Sequence, residues 1–361
     1  MSSARLEEAL QLTQDLLRIS SETGDEVHIA DHVESWCRGF DPHQLVRSGN
    51  SLCVTPRPLD PTRQTVMLLG HLDTVPSAGE NPVRVEGDRL FGLGASDMKA
   101  ADALIMQALR RGGQEGCRHN LIGVLYAREE GPFVESELPG LIEAAPDAFS
   151  STDFAVAMEP TDNRIELGCL GTLHARVVFT GKRAHSARPW QGKNAIHAAA
   201  GLLQRIADVQ PREYEFEGFT FIESMSATMI DFDGARNVIP SSCAINVNFR
   251  FAPGKDEEDC RRDLDAIVAG EASFEIEDFC PSGKVCADNG LLAELRQAAG
   301  SPETTAKQAW TDVGRLSHLG MDAINWGPGA TAQAHQAGEW VSVAAVEASL
   351  DTIEHWLFSA D

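Results

Sequence analysis

The sequence predicts an α/β protein that carries a ferredoxin-like α+β insertion, and three observations lead there. Short apolar runs at Thr65 to Gly70 (TVMLLG), Leu121 to Tyr126 (LIGVLY) and Phe154 to Met158 (FAVAM) read as strands buried in a parallel sheet, with a helical stretch from Lys99 to Arg111 between the first two. From about Thr172 the pattern changes to the order β-α-β-β-α-β. After Pro281 the first pattern returns. The expected division is therefore a main domain of mixed sheet flanked by helices, formed by residues 1–171 and 283–361, with residues 172–282 inserted between its halves.

Taken in order, Leu6, Leu10 and Leu17, then Ile29, Val33 and Trp36, recur at helical spacing and predict two amphipathic helices before the first strand. In the insertion the strand-like segments are Thr172 to Phe179, Met225 to Phe232, Cys243 to Phe251 and Phe274 to Phe279. Helices are expected over Asn194 to Val209 and Glu257 to Ala269. The final part holds a helical run from Leu291 to Ala299, an apolar Ala323 to Trp326 and a helix from about Val343 to Leu357.

The 361 residues are enough for two or three domains, and 43% hydrophobic residues suffice for sizeable cores. No stretch reaches the roughly 20 apolar residues of a membrane span, and Glu7, Glu8 and Asp15 stand where a signal peptide would be basic and then apolar. A cytoplasmic protein is expected. With 54 acidic against 30 basic residues the formal charge is −24, which argues against nucleic acid and anionic membrane as partners. Eight cysteines without a CxxC pair predict free thiols rather than a disulfide framework or a cysteine zinc site.

The polar residues that carry chemistry fall just after the apolar strands. His71 and Asp73 follow the first, Glu129 and Glu130 the second, and Glu159 the third. In open α/β sheets this carboxyl edge is where ligands bind. Asp97 joins from the loop G-L-G-A-S-D-M-K, and His335 is available from A-H-Q-A-G-E-W. Two histidines with several carboxylates are the donor set of a hydrolytic zinc site, in which a carboxylate such as Asp97 can bridge two ions about 3.5–4 Å apart. In His-x-Asp the Asp73 carboxylate is placed to fix the tautomer of His71. Of two adjacent glutamates, one can ligate metal while the other serves as general base. A single His-x-Asp or Glu-Glu is more often surface decoration; three such signals at successive strand ends reverse that weighting.

The sequence resembles the di-zinc amidohydrolases and exopeptidases related to aminoacylase, acetylornithine deacetylase, glutamate carboxypeptidase and succinyl-diaminopimelate desuccinylase. The resemblance rests on G-H-L-D-T-V-P from Gly70, G-x-G-x-x-D-M-K ending at Lys99, the pair at Glu129, M-E-P from Met158, G-x-x-A-H-S from Gly181 and the late His335. It implies a di-zinc exopeptidase-like fold and two Zn2+ per subunit, with Co2+ or Mn2+ as substitutes. His71, Asp97 and Glu159 would ligate one ion, and Asp97, Glu130 and His335 the other. Glu129 becomes the general base and Asp73 the carboxylate behind His71. The insertion becomes a lid through which a homodimer forms, and His185 would donate to the oxyanion in the partner's site. Asn237 and Arg250 match substrate-binding positions, and Thr311 and Arg315 are counted with them.

Within the family, G-C-L-G-T-L and K-R-A-H-S-A-R-P-W with N-A-I-H are most similar to the shorter, actinobacterial desuccinylases. The implied substrate is a small anionic N-acylamino acid, N-succinyl-LL-2,6-diaminopimelate. Another N-acylamino-acid deacylase, a dipeptidase, and a non-catalytic metal-binding protein on the same fold are the alternatives, and an intact Glu129 argues against the last. Better-known desuccinylases carry an arginine between the two glycines that here flank Cys169 and Leu170. Arg183, Arg188, Arg236 and Arg315 are candidates to replace it.

Overall fold

The computed structural model describes residues 2–77, 79 and 81–358. Two compact units emerge, one of Met1–Gly168, Lys284–Thr305 and Thr311–Asp361, the other of Cys169–Gly283 and Ala306–Trp310. No helix among the described residues is long and apolar enough to cross a membrane.

The first unit is built on an eight-stranded mixed sheet in the order Gln44–Ser48, Ser51–Thr55, Asn120–Tyr126, Thr65–His71, Phe154–Ala157, Ala323–Asn325, Ile165–Leu167, Thr304–Ala306. Its centre is parallel, with Leu68 opposite both Gly123 and Val156 and Ile324 opposite Val156 on the next strand. Every residue of Thr65–His71 and Phe154–Ala157 is buried, which is why these segments read as unbroken apolar runs rather than alternating ones. The helix Ala100–Glu115 packs against Thr65–His71 and Asn120–Tyr126, and Ser2–Leu17 and Val343–Leu357 pack against it in turn. Ser342 caps the last of these by accepting the Ala345 N–H at 3.2 Å.

The second unit is a five-stranded antiparallel sheet ordered Arg212–Phe216, Phe219–Phe232, Ser242–Phe251, Gly171–Thr180, Ser273–Cys280. Leu173, Ala175, Val177 and Phe179 alternate toward a core shared with Ala199 and Leu202 of the helix Ala195–Asp208 and Leu264 of the helix Glu257–Val268. Asn194 caps the first helix and Asp256 forms a capping box on the second. Gly171 is required on its strand, because a Cβ there would lie 2.0 Å from the Phe251 ring.

Several elements differ from expectation. The strand expected from Met225 begins at Phe219, and an extra edge strand, Arg212–Phe216, pairs with its first half. The hairpin Gln44–Ser48 with Ser51–Thr55 and the small sheet of Arg84–Glu86, Arg89–Phe91 and Trp340–Ser342 had no counterpart in the sequence reading. These strands have three to five residues, too short for periodicity to register.

Candidate metal centre

The parallel strands end side by side, and the turns beyond them bring the ionisable residues together. His71 closes its strand, Glu129 and Glu130 follow Tyr126 after a turn, and Glu159 lies two residues past Ala157. Asp97 sits in the tight turn Ala95–Lys99 that opens the helix Ala100–Glu115, and the Asp97–Met98 peptide bond is cis. His335 arrives from the loop before Trp340. Arg128 and His335 adopt left-handed backbone conformations at φ +62° and +61°, where a residue with a Cβ needs surrounding contacts to hold it.

Two overlapping groups of potential ligand atoms result, His71, Asp97, Glu159 and Asp97, Glu130, His335, each with its atoms within 4.8 Å of one another and both sharing Asp97. A third combination, His71 with Glu129 and Glu130, places Glu129 at the edge of the same cluster. His71 Nε2 lies 3.1 Å from Asp97 Oδ1, and His335 Nε2 lies 2.9 Å from Glu130 Oε1 and 3.6 Å from Asp97 Oδ2. The donors are imidazole nitrogen and carboxylate oxygen without thiolate, and each group offers three, which fits a catalytic divalent cation with a position left open.

The electrostatics fit the same purpose. Burial disfavours a charged His71 ring, but the Asp97 contact and the charges of Glu129, Asp97 and Glu159 outweigh it and hold the ring well above its ordinary value. Desolvation raises the Glu129 carboxyl well above the usual range, and Glu159, Glu130 and Asp312 add to that while His71 opposes it. His335 is raised to about 9, chiefly by its hydrogen bond to Glu130. A crowded set of acids holding protons on its histidines is poised to exchange them for cations.

The role expected of Asp73 needs correction. His71 Nδ1 meets the backbone oxygen of Asp73 at 3.0 Å, while the nearest carboxylate oxygen lies 3.7 Å away. That carboxylate, fully buried, instead accepts the Glu129 and Glu130 N–H groups at 3.0 Å each and the Thr23 hydroxyl at 3.0 Å. Two consecutive amides converging on one acceptor fix the dipeptide more directly than the sequence spacing suggested.

The candidate substrate residues divide. Thr311 is buried with its hydroxyl donating to Asn325 Oδ1 at 2.7 Å, and Arg315 donates to Asp312 at 2.7 Å and to the Phe133 carbonyl at 3.0 Å, its guanidinium stacked 3.8 Å from the Phe133 ring. Both are engaged within the fold. In the second unit Asn237 is exposed, and Arg250 is half-buried with Nε donating to Asn248 Oδ1 at 3.2 Å. Cys169 and Leu170 are buried, so the position that lacks the expected arginine is an apolar one. His185 is exposed on a short segment paired with Val238.

Tyr126, Asp312 and Glu339 were missed. Tyr126 ends an apolar strand and read as core, yet its hydroxyl donates to Asp312 Oδ2 at 2.7 Å. Glu339, four residues past His335, is buried and accepts N–H groups from the Asp97 loop.

The family model for peptidase family M20/M25/M40 matches residues 67–359. The chain belongs to this family. A relative from Mycobacterium tuberculosis that carries a succinyl-diaminopimelate desuccinylase name is 36% identical over 353 residues, covering 96% of this chain and 97% of the relative. The succinyl-diaminopimelate desuccinylase of Corynebacterium glutamicum is 34% identical over 344 residues, covering 92% of each. A Staphylococcus aureus tripeptidase structure superposes with a TM-score of 0.78 at 18% identity, covering 97% of both chains, which shows that the fold is shared.

Proposed function

We propose that this chain is a metal-dependent amide hydrolase of the desuccinylase kind, cleaving N-succinyl-LL-2,6-diaminopimelate to succinate and LL-2,6-diaminopimelate. The observation that carries the reading is the pair of ligand groups sharing Asp97, with Glu129 beside them. The substrate assignment draws on the desuccinylase similarity across nearly the whole chain. Two Zn2+ ions per subunit would be held by His71, Asp97 and Glu159 and by Asp97, Glu130 and His335. When bound, such ions polarise the amide carbonyl and acidify water. Glu129 takes a proton from the attacking water as its oxygen bonds to the succinyl carbonyl carbon. The same carboxyl returns the proton to the amine as the C–N bond breaks.

The second unit is assigned to substrate capture and to a homodimer. The Ala187 N–H donates to His185 Nδ1 at 3.0 Å, so a neutral ring carries its proton on Nε2, ready to donate to an oxyanion in a neighbouring subunit's site. Along Ser224–Phe232 only one edge of the strand is paired among the described residues, and Met229, Ile230 and Phe232 are 63%, 47% and 57% exposed. An open, apolar strand edge is suited to pairing with its own copy about a two-fold axis. Arg250 and Asn237 are assigned to the substrate's carboxylates.

The test is hydrolysis by chelator-stripped and Zn2+-reloaded protein of N-succinyl-LL-2,6-diaminopimelate, N-acetylornithine and dipeptides. Metal-restored preference for the succinyl amide supports the reading. A preference for an acetyl amide or a dipeptide replaces the substrate, and no hydrolysis of any amide overturns the enzyme assignment.

A further inference from the structure

The Glu339 carboxylate sits in a ring of backbone donors. Oε2 accepts the Gly94 N–H at 2.7 Å, and Oε1 accepts those of Ser96 and Asp97 at 2.7 and 2.9 Å. Gly94, at φ +81°, turns the chain so that successive N–H groups converge, the kind of nest that elsewhere binds an anion. Here an internal carboxylate, 2% exposed, fills it. The same two segments are joined again on either side. Gly92 N–H donates to the Glu339 carbonyl at 3.1 Å, and the Ser96 hydroxyl donates to the Trp340 carbonyl at 2.8 Å and accepts the Ala330 N–H at 3.0 Å. One segment carries Asp97 and the other His335, the members of one ligand group that lie farthest apart in sequence.

We propose that Glu339 is a positioning residue that locks the Asp97 loop to the His335 loop, so that Asp97, Glu130 and His335 present their donors to a cation as one preformed set. The inference rests on the metal-hydrolase reading and adds to it a residue that touches neither ion nor substrate. A carboxylate is specifically suited, since three N–H donors require acceptors and it has no donor of its own. Glutamine would keep the shape but turn an NH2 toward at least one of those N–H groups. Aspartate would keep the charge but fall one methylene short.

The experiment is Co2+ titration of chelator-stripped, full-length wild type, Glu339→Gln, Glu339→Asp and Glu339→Ala, following the visible cobalt bands, with urea unfolding of the same stripped proteins. Glu339→Gln is expected to bind one Co2+ equivalent about 10 to 100-fold more weakly, with altered bands, as found when groups that orient metal ligands are lost. In the same variant kcat should fall with KM little changed. Should Glu339→Ala fail to fold, the isosteric Gln variant carries the test. Affinity and bands of Glu339→Gln matching wild type would overturn the proposal even if its unfolding midpoint drops, because the carboxylate would then serve only the fold. Absence of Co2+ binding by wild type would overturn the metal-hydrolase reading itself, and the lock with it.

Discussion

Replacing Asp73 by Ala probes the contact that the structure most redefines. Its buried carboxylate accepts the Glu129 and Glu130 amides and the Thr23 hydroxyl, all at 3.0 Å. A hydrogen bond to a charged group contributes about 1.5–3 kcal/mol, so losing the two backbone bonds is expected to cost the metal-free protein about 3–6 kcal/mol. Relief of repulsion among the neighbouring carboxylates offsets part of this and favours the lower end. Even that is a large share of the roughly 5–15 kcal/mol that holds a typical domain folded. Freed from their anchor, Glu129 and Glu130 would no longer be held against Asp97 and His335, and metal affinity should fall about 10 to 100-fold. Asp73→Asn is the milder form, because one oxygen still accepts. Urea unfolding of stripped protein and competitive metal titration measure the two effects. Unchanged stability and affinity in Asp73→Ala would refute the anchoring argument. Affinity lost only from the group containing His71 would return the role to the 3.7 Å contact.

Glu129→Gln should abolish turnover while metal content stays at the wild-type level; loss of one metal per subunit on elemental analysis would exchange the roles of Glu129 and Glu130. His335, raised to about 9 by Glu130 in the metal-free site, must lose a proton before it ligates, so metal affinity should climb with rising pH up to about 9 and then level off. The same raised pKa stabilises the stripped fold fully below the unfolded value near 6.5, and that contribution fades as pH passes through about 9, so pH-flat affinity and stability would contradict it. Tyr126→Phe removes the buried donor to Asp312 and should lower stability by about 1–3 kcal/mol in urea unfolding; no change would mean that the acceptor is satisfied otherwise. Mixing Glu129→Gln with His185→Ala subunits should recover up to about half of wild-type activity per heterodimer if His185 works in trans, and none, with heterodimers verified, if it does not.

Much of the fold was legible because burial writes itself into composition. Residues 66–70 and Phe154–Ala157 are apolar throughout since both faces are covered, and the residues that end such strands could be read from the sequence as a ligand edge. His71, Asp97, Glu130, Glu159 and His335 were named in the sequence and are brought together. What escaped was whatever depends on the path of a loop. The Asp73 carboxylate turns to the Glu129 and Glu130 amides because the chain bends at Arg128, and no residue pattern reports that bend. Arg315 read as a free guanidinium because its partners, Asp312 and the Phe133 carbonyl, are a near neighbour without a motif and a backbone atom 182 residues away. Tyr126 and Glu339 were hidden for the opposite reason, since each sits in an apolar or turn context that reads as packing alone.

These contacts share a physical logic. A chain of charge −24 gathers further carboxylates at the end of its most buried strands, where desolvation and mutual repulsion raise Glu129 and Asp102 well above the ordinary carboxyl range. Such a cluster works against the folded state unless something else holds it. The holding groups are backbone amides, which cannot be withdrawn without unfolding the turns that carry them: Glu129 and Glu130 on Asp73, and Gly94, Ser96 and Asp97 on Glu339. Two of the acids thus serve as anchors, held by N–H dipoles and, through space, by the buried ammonium of Lys99, which is attracted to both Asp73 and Glu339. The acids of the two ligand groups crowd one another, so the repulsion that weakens the metal-free site becomes the attraction that draws in a cation.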